Sequence, residues 1–149
     1  MKYRLLGIVA ALAVVLCTCS KGKFQTTPTI RIKDMNTTEV NAPNGELKIT
    51  LECTDKEGDE GQGELTYIRV RTNSIPIPDP VNNDKADTAR QAVPSFPKTD
   101  KVEMVLLIPY TFLDEDPGRN DTMYFKLTLR DSQNHQSDTI TTKSIVAVQ

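Results

Sequence analysis

The chain reads as an all-β, antiparallel sandwich of about seven strands, and three observations lead there. From Pro28 onward, apolar residues recur at every second position in run after run. That is the period of a strand with one face on a core. Clusters of Pro, Gly, Asn and Asp separate the runs, as turn chemistry requires. Almost no stretch carries the period of an amphipathic helix, so sheet against sheet is the layering that remains.

The elements follow in order. Thr29–Lys33 is a short first strand with Ile30 and Ile32 on one face. Asn41-Ala42-Pro43-Asn44-Gly45 is a turn, and Glu46–Cys53 is the second strand, with Leu47, Ile49, Leu51 and Cys53 alternating. Thr54–Glu64 is a loop rich in Asp, Glu and Gly. Leu65–Thr72 is the third strand, expected to turn Thr66, Ile68 and Val70 inward and Tyr67, Arg69 and Arg71 outward. Residues 74–100 are irregular, because Pro76, Pro78, Pro80, Pro94 and Pro97 exclude a central strand or a long helix. Within them, a helical turn over Asp84–Ala92 and an edge strand near Ile75–Ile77 are candidates, and such a strand would make the seventh. Lys101–Ile108 is the next strand, with Val102, Met104, Leu106 and Ile108 inward. Val105 and Leu107 imply that its other face is partly covered too. A loop over Tyr110–Asp121 precedes Thr122–Arg130, which sets Met123, Phe125, Leu127 and Leu129 on one face. Asp131–Gln136 is a polar turn, and Ser137–Val148 is the last strand.

The N-terminus carries an address. Lys2 and Arg4 head an apolar run from Leu5 to Leu16, closed by Cys17-Thr18-Cys19-Ser20. The run is about 12 residues, whereas a spanning helix needs ~20, so it reads as a secretory signal with a lipobox. Cys19 has the small Thr18 before it and Leu16 three before, whereas the large Leu16 directly precedes Cys17. Residues 1–18 are therefore expected to be a signal peptide, Cys19 the lipidated residue, 19–27 a tether, and 28–149 the sandwich domain. Bacterial lipoproteins, which this terminus resembles, carry several acyl chains on that cysteine. One chain alone holds only marginally.

Charge and cysteine content narrow the function. The whole chain has 18 basic and 20 acidic residues. Losing Lys2 and Arg4 with the leader takes the net charge to about −4, and no basic stripe appears, which argues against nucleic acid as a partner. Cys53 is left as the one cysteine of the folded part, without a partner for an intrachain disulfide. It continues an apolar alternation and reads as a buried small hydrophobe.

Thr54-Asp55-Lys56-Glu57-Gly58-Asp59 after a strand, and Arg130-Asp131-Ser132-Gln133-Asn134 before a final Thr-rich strand, resemble the immunoglobulin-like or fibronectin-III-like domains of small Bacteroidota lipoproteins. In that family the motifs read roughly Asp-x-Glu-Gly-Asp and Asp-x-x-Gly-Asn, and here the second lacks its glycine. The resemblance covers Thr27 to Gln149. It implies an immunoglobulin-like sandwich in the cell envelope, with no activity assigned to most members.

Two candidate sites stand out. The acidic loop offers Asp55, Glu57, Asp59 and Glu60 beside Gly58, Gly61 and Gly63. Calcium takes six to eight oxygen ligands from carboxylates and carbonyls. In an immunoglobulin-like sandwich this loop and the last hairpin share one end. Asp55, Glu57, Asp59 and Asp131 are thus the candidate calcium ligands, with Asn134 nearby. The alternative is a solvated loop tip. No EF-hand is present, since Thr66 holds the twelfth position. The second candidate is an outward face of Tyr67, Arg69 and Arg71 with Tyr124, Lys126, Thr128 and Arg130, where Tyr67 should meet Arg130 and Tyr124 should meet Arg71. That face would bind another envelope protein or a glycan, or else be a solvated face held by aromatic–cation pairs.

Catalysis has little support. His135 is the one histidine and lies in a turn. There is no nucleophile elbow, zinc-ligand set or phosphate loop. Asp114, Glu115 and Asp116 could mimic the carboxylate pair of a glycan hydrolase, but a run of acids in a loop is more often simply solvated. Asp87-Thr88-Ala89, Asp121-Thr122-Met123 and Asp138-Thr139-Ile140 match a short Bacteroidota O-glycosylation pattern, and equally fit ordinary turn and strand-edge residues. The expectation is a non-catalytic lipoprotein that is a binding or structural module, or else a calcium-stabilised structural domain. Ser20-Lys21-Gly22-Lys23 lacks the acids of surface-exported lipoproteins, which favours the periplasmic face of the outer membrane.

Overall fold

The computed structural model describes residues 27–75, 88–116 and 118–149. The expected signal peptide, Cys19, nearly all of the expected tether, Ile77 and the start of Asp84–Ala92 lie outside them. Nine strand segments are present among the described residues: β1 Thr29–Met35, β2 Glu39–Asn41, β3 Glu46–Thr54, β4 Glu64–Arg71, β5 Thr88–Ala92, β6 Lys101–Pro109, β7 Asp121–Arg130, β8 Ile140–Thr141 and β9 Ile145–Val148. Among the same residues one short helix, α1 Tyr110–Leu113, leads away from β6. One sheet runs β1-β3-β6 and the other β2-β9-β7-β4-β5, with β8 also on β7. The fold is an all-β, immunoglobulin-like sandwich. Its pairings are antiparallel except for β2 with β9.

Alternation builds the core. Leu47, Ile49, Leu51 and Cys53 from β3 and Leu106 and Ile108 from β6 face Met123, Phe125, Leu127 and Leu129 from β7, with Ile145 and Ala147 from β9. Each such side chain, fully buried, is worth roughly 1.5–3 kcal/mol. The chain changes sheets at 36–38: Asn36 donates to the Lys48 carbonyl in one sheet, while Thr38 accepts from Val146 in the other. That switch creates β2, three residues long and too short for periodicity to reveal.

Several expectations need correction. Thr88–Ala92 pairs with β4 as a strand rather than forming a helical turn. Val105 and Leu107 are 46% and 51% exposed, so the second face of β6 is open. The final strand, expected over Ser137–Val148, begins only at Ile140 and is broken at 142–144. Thr142 fills the gap, its amide donating to the Phe125 carbonyl and its hydroxyl accepting from the Phe125 amide. Ser137 does the same at Leu129. Two hydroxyls thus replace ladder partners where the backbone bulges away.

The most consequential correction concerns β4, whose phase is the reverse of that expected. Leu65 lies opposite Leu129, Tyr67 opposite Leu127, Arg69 opposite Phe125 and Arg71 opposite Met123. Directly opposed residues share a face, so Tyr67, Arg69 and Arg71 stand on the inner side. Ile68 is 37% exposed while Arg69 is 2% exposed. The anticipated Tyr67–Arg130 and Tyr124–Arg71 pairs therefore do not form. The cause is local. The Tyr67 ring packs edge-on between Phe112 and Phe125, at 6.1 and 6.2 Å between centroids. Arg69 places its guanidinium 4.8 Å from the Phe112 ring centre and donates to the Phe112 carbonyl. Glu115 pairs with both Arg69 and Arg71. A charge so supplied with partners can occupy an inward position.

Candidate metal centre

The acidic segment 55–63 links β3 to β4 and is stitched down along its length. The Asp55 amide donates to the Asp100 carbonyl, Gln62 and Gly63 exchange bonds with Val93, and the Ser132 amide donates to the Asp59 carbonyl. Two glycines permit the path. Gly58 has φ +64, and a Cβ there would lie 2.9 Å from the Thr99 backbone. A Cβ on Gly63 would lie 2.1 Å from the Arg130 carbonyl oxygen, so only glycine lets this loop close against the end of β7.

The turn after β7 arrives from the other side. Asn134 has φ 70, a left-handed conformation that asparagine tolerates. The Asp131 carboxylate organises this turn. Its Oδ1 accepts from the amides of Gln133 and His135, both at 2.8 Å, and its Oδ2 lies 3.1 Å from His135 Nδ1.

Together the two segments bring one carboxylate oxygen each from Asp55, Asp59 and Asp131 within 4.8 Å of one another. Asp55 and Asp131 are 2% and 3% exposed, and Asp59 is half-buried. In Asp55 one oxygen accepts from the Glu57 amide, while Oδ2 is buried with no hydrogen-bond partner among the described residues. Oδ1 of Asp59 is likewise bare, while its Oδ2 lies 3.5 Å from the Ser132 hydroxyl. Burial first, then the Asp59 carboxyl in close contact and its charge, then the charge of Asp131, pushes the Asp55 carboxyl above the usual carboxylate range, against the Glu57 amide, which lowers it. Glu57 is exposed and stands outside the trio, adding only its amide. Glu60 sits closer to the chemistry than its place among the loop acids signalled. It is fully buried, neither carboxylate oxygen has a hydrogen-bond partner among the described residues, and burial with the charges of Asp55, Asp59 and Asp100 pushes its carboxyl up.

The other candidate residues resolve differently. Tyr124, Lys126 and Arg130 do point outward, but they share that face with Ile68 and Val70 rather than with Tyr67, Arg69 and Arg71. Arg130 pairs with Glu64 at 3.0 Å, and Arg90 approaches Glu64 at 3.7 Å. The acids of 114–116 are structural: Glu115 clamps two arginines, Asp116 pairs with Arg119, and Asp114 accepts from the Gln149 side chain. Buried Asp121 accepts from the Glu115 and Asp116 amides and from Asn73. A groove of about 270 Å³ between β5 and β6, lined by Leu65, Val93, Phe96, Val102 and Met104, offers one acid, Glu103, which pairs with Lys33.

Protein-family models and curated proteins yield no match to this chain. Among solved structures, that of a selenomethionine-labelled β-glucosidase from Kluyveromyces marxianus is similar, with a TM-score of 0.39 and 14% identity. The match covers 82% of this chain and spans 15% of that one. A likeness that loose carries no functional argument.

Proposed function

We propose that the protein is a non-catalytic lipoprotein of the cell envelope, a tethered structural or binding module for another envelope protein or a glycan. The observation that carries this reading is the lipobox Leu16-Cys17-Thr18-Cys19 behind a short apolar run, a few residues ahead of a single sandwich. The use of the charged residues supports it. Glu115 bridges the two arginines of β4, Asp116 pairs with Arg119 and Asp114 accepts from the Gln149 side chain, so these charges serve the fold. A partner surface on the larger sheet falls to Tyr124, Lys126 and Arg130, with Ile68 beside them. Among the described residues no helix is long and apolar enough to cross a membrane, and the tether supplies the anchorage in this reading. The outer membrane, on its periplasmic face, is the expected location.

Metabolic labelling with radioactive palmitate in a Gram-negative host tests the anchor. The wild-type chain should take up label and sediment with membranes. Cys19→Ala should lose both, and Cys17→Ala should keep both. Undiminished label in Cys19→Ala would overturn the assignment.

A further inference from the structure

We propose that Asp55, Asp59 and Asp131 form a calcium site that fastens the loop after β3 to the hairpin after β7. The inference goes beyond the envelope-module reading and does not depend on the lipid anchor.

Geometry comes first. Calcium binds oxygen at about 2.3–2.6 Å, so ligands on opposite sides of one ion lie roughly 4.6–5.2 Å apart. Three carboxylate oxygens all within 4.8 Å of one another fit around one such sphere. They come from two segments far apart in sequence and converge because the sandwich topology places both at one end.

The bare oxygens are the second, independent observation. Asp55 is almost fully buried, yet Oδ2 has no hydrogen-bond partner among the described residues. Glu60, next to Asp59 in the chain, is wholly buried with both oxygens in the same condition. A buried carboxylate oxygen left without a partner is costly. Such a cluster must take up protons or a cation. The rest of the arrangement suits the cation. The Glu57, Gln133 and His135 amides each hold an oxygen of Asp55 or Asp131, the kind of outer hydrogen bonding that orients ligating carboxylates.

The donors are all hard oxygens. His135 contacts Asp131 rather than joining the trio, so zinc, which prefers nitrogen and sulfur, is disfavoured. Magnesium demands near-ideal octahedral geometry and gives up water reluctantly. A crowded, buried set of carboxylates suits calcium better.

The test uses the full chain, stripped with EDTA and returned to calcium by equilibrium dialysis, with thermal unfolding in parallel. One Ca²⁺ per chain should bind. At ~100 times the dissociation constant the melting midpoint should rise by on the order of 5–10 °C. Asp59→Asn, at the least buried of the three positions, should weaken binding at least tenfold. Without metal that variant should melt no lower than the wild type, because one repelling charge is gone, and this shows that it has folded. The proposal fails if the wild-type chain takes up no calcium, if Asp59→Asn binds as tightly as wild type, or if magnesium gives an equal shift. A variant that does not fold leaves the wild-type dialysis to decide. Cys19→Ala should leave calcium uptake unchanged, so failure of the anchor and failure of the metal site read out separately.

Discussion

Cys53 shows how fully the interior can silence a reactive group. Its alternation with Leu47, Ile49 and Leu51 marks it as inward, and it is completely buried. Burial, with the charges of Glu60 and Glu52 adding to it, pushes its thiol up to about 12. The thiolate is the nucleophile, so near neutral pH Cys53 should stay unmodified by a water-soluble maleimide in the folded protein and react in denaturant. Mass analysis of the peptide that holds Cys53 reads this, and prompt labelling of the native protein would contradict the buried placement. Glu52, next in the chain, faces the opposite way and has the opposite fate. Lys101 and Arg31 pair with it and hold its carboxyl below the usual range. The alternation of β3 shows that these neighbours point to opposite faces. It does not show which partners meet them.

At the scale of the element, β4 is where sequence patterning misleads. Its order, Leu65, Thr66, Tyr67, Ile68, Arg69, Val70, Arg71, suits either phase when read by hydropathy. A one-residue change of phase moves every side chain to the other face. The actual phase depends on Glu115, which is 44 residues from Arg71 in the chain and invisible in any local window. Removing that acid would take away the Glu115 carboxylate that pairs with the completely buried Arg69 side chain. Glu115→Ala should therefore cost about 3–5 kcal/mol. Glu103→Ala, which breaks the half-exposed pair with Lys33, should cost about 0–1 kcal/mol. Urea denaturation of the two variants compares them directly, and equal losses would contradict the buried-pair account. By contrast β3, β6 and β7 were legible at once. Each has four apolar residues at a strict period of two, and the inward face predicted for each is the face that packs.

Across the molecule, the two sheets meet through Phe125, which is wholly buried and carries one edge of the Tyr67 cluster. Phe125→Ala should destabilise the domain by about 3–5 kcal/mol, read as a lower urea midpoint with an unchanged slope. The sequence by itself determined the fold class, the inward faces of β3, β6 and β7, and the acidic character of the 55–63 loop. These depend on local periodicity and composition, which need no knowledge of distant neighbours. It also placed Asp131 at the same end as that loop, through the expected topology. Only the tertiary structure decided the phase of β4, the strand at Thr88–Ala92, the exclusion of Glu57 from the acidic trio and the full burial of Glu60. Each of these depends on contacts between residues far apart in the chain. Which way a side chain turns at such a place is set by the partner that satisfies it, and that partner is assigned only when the sheets pack.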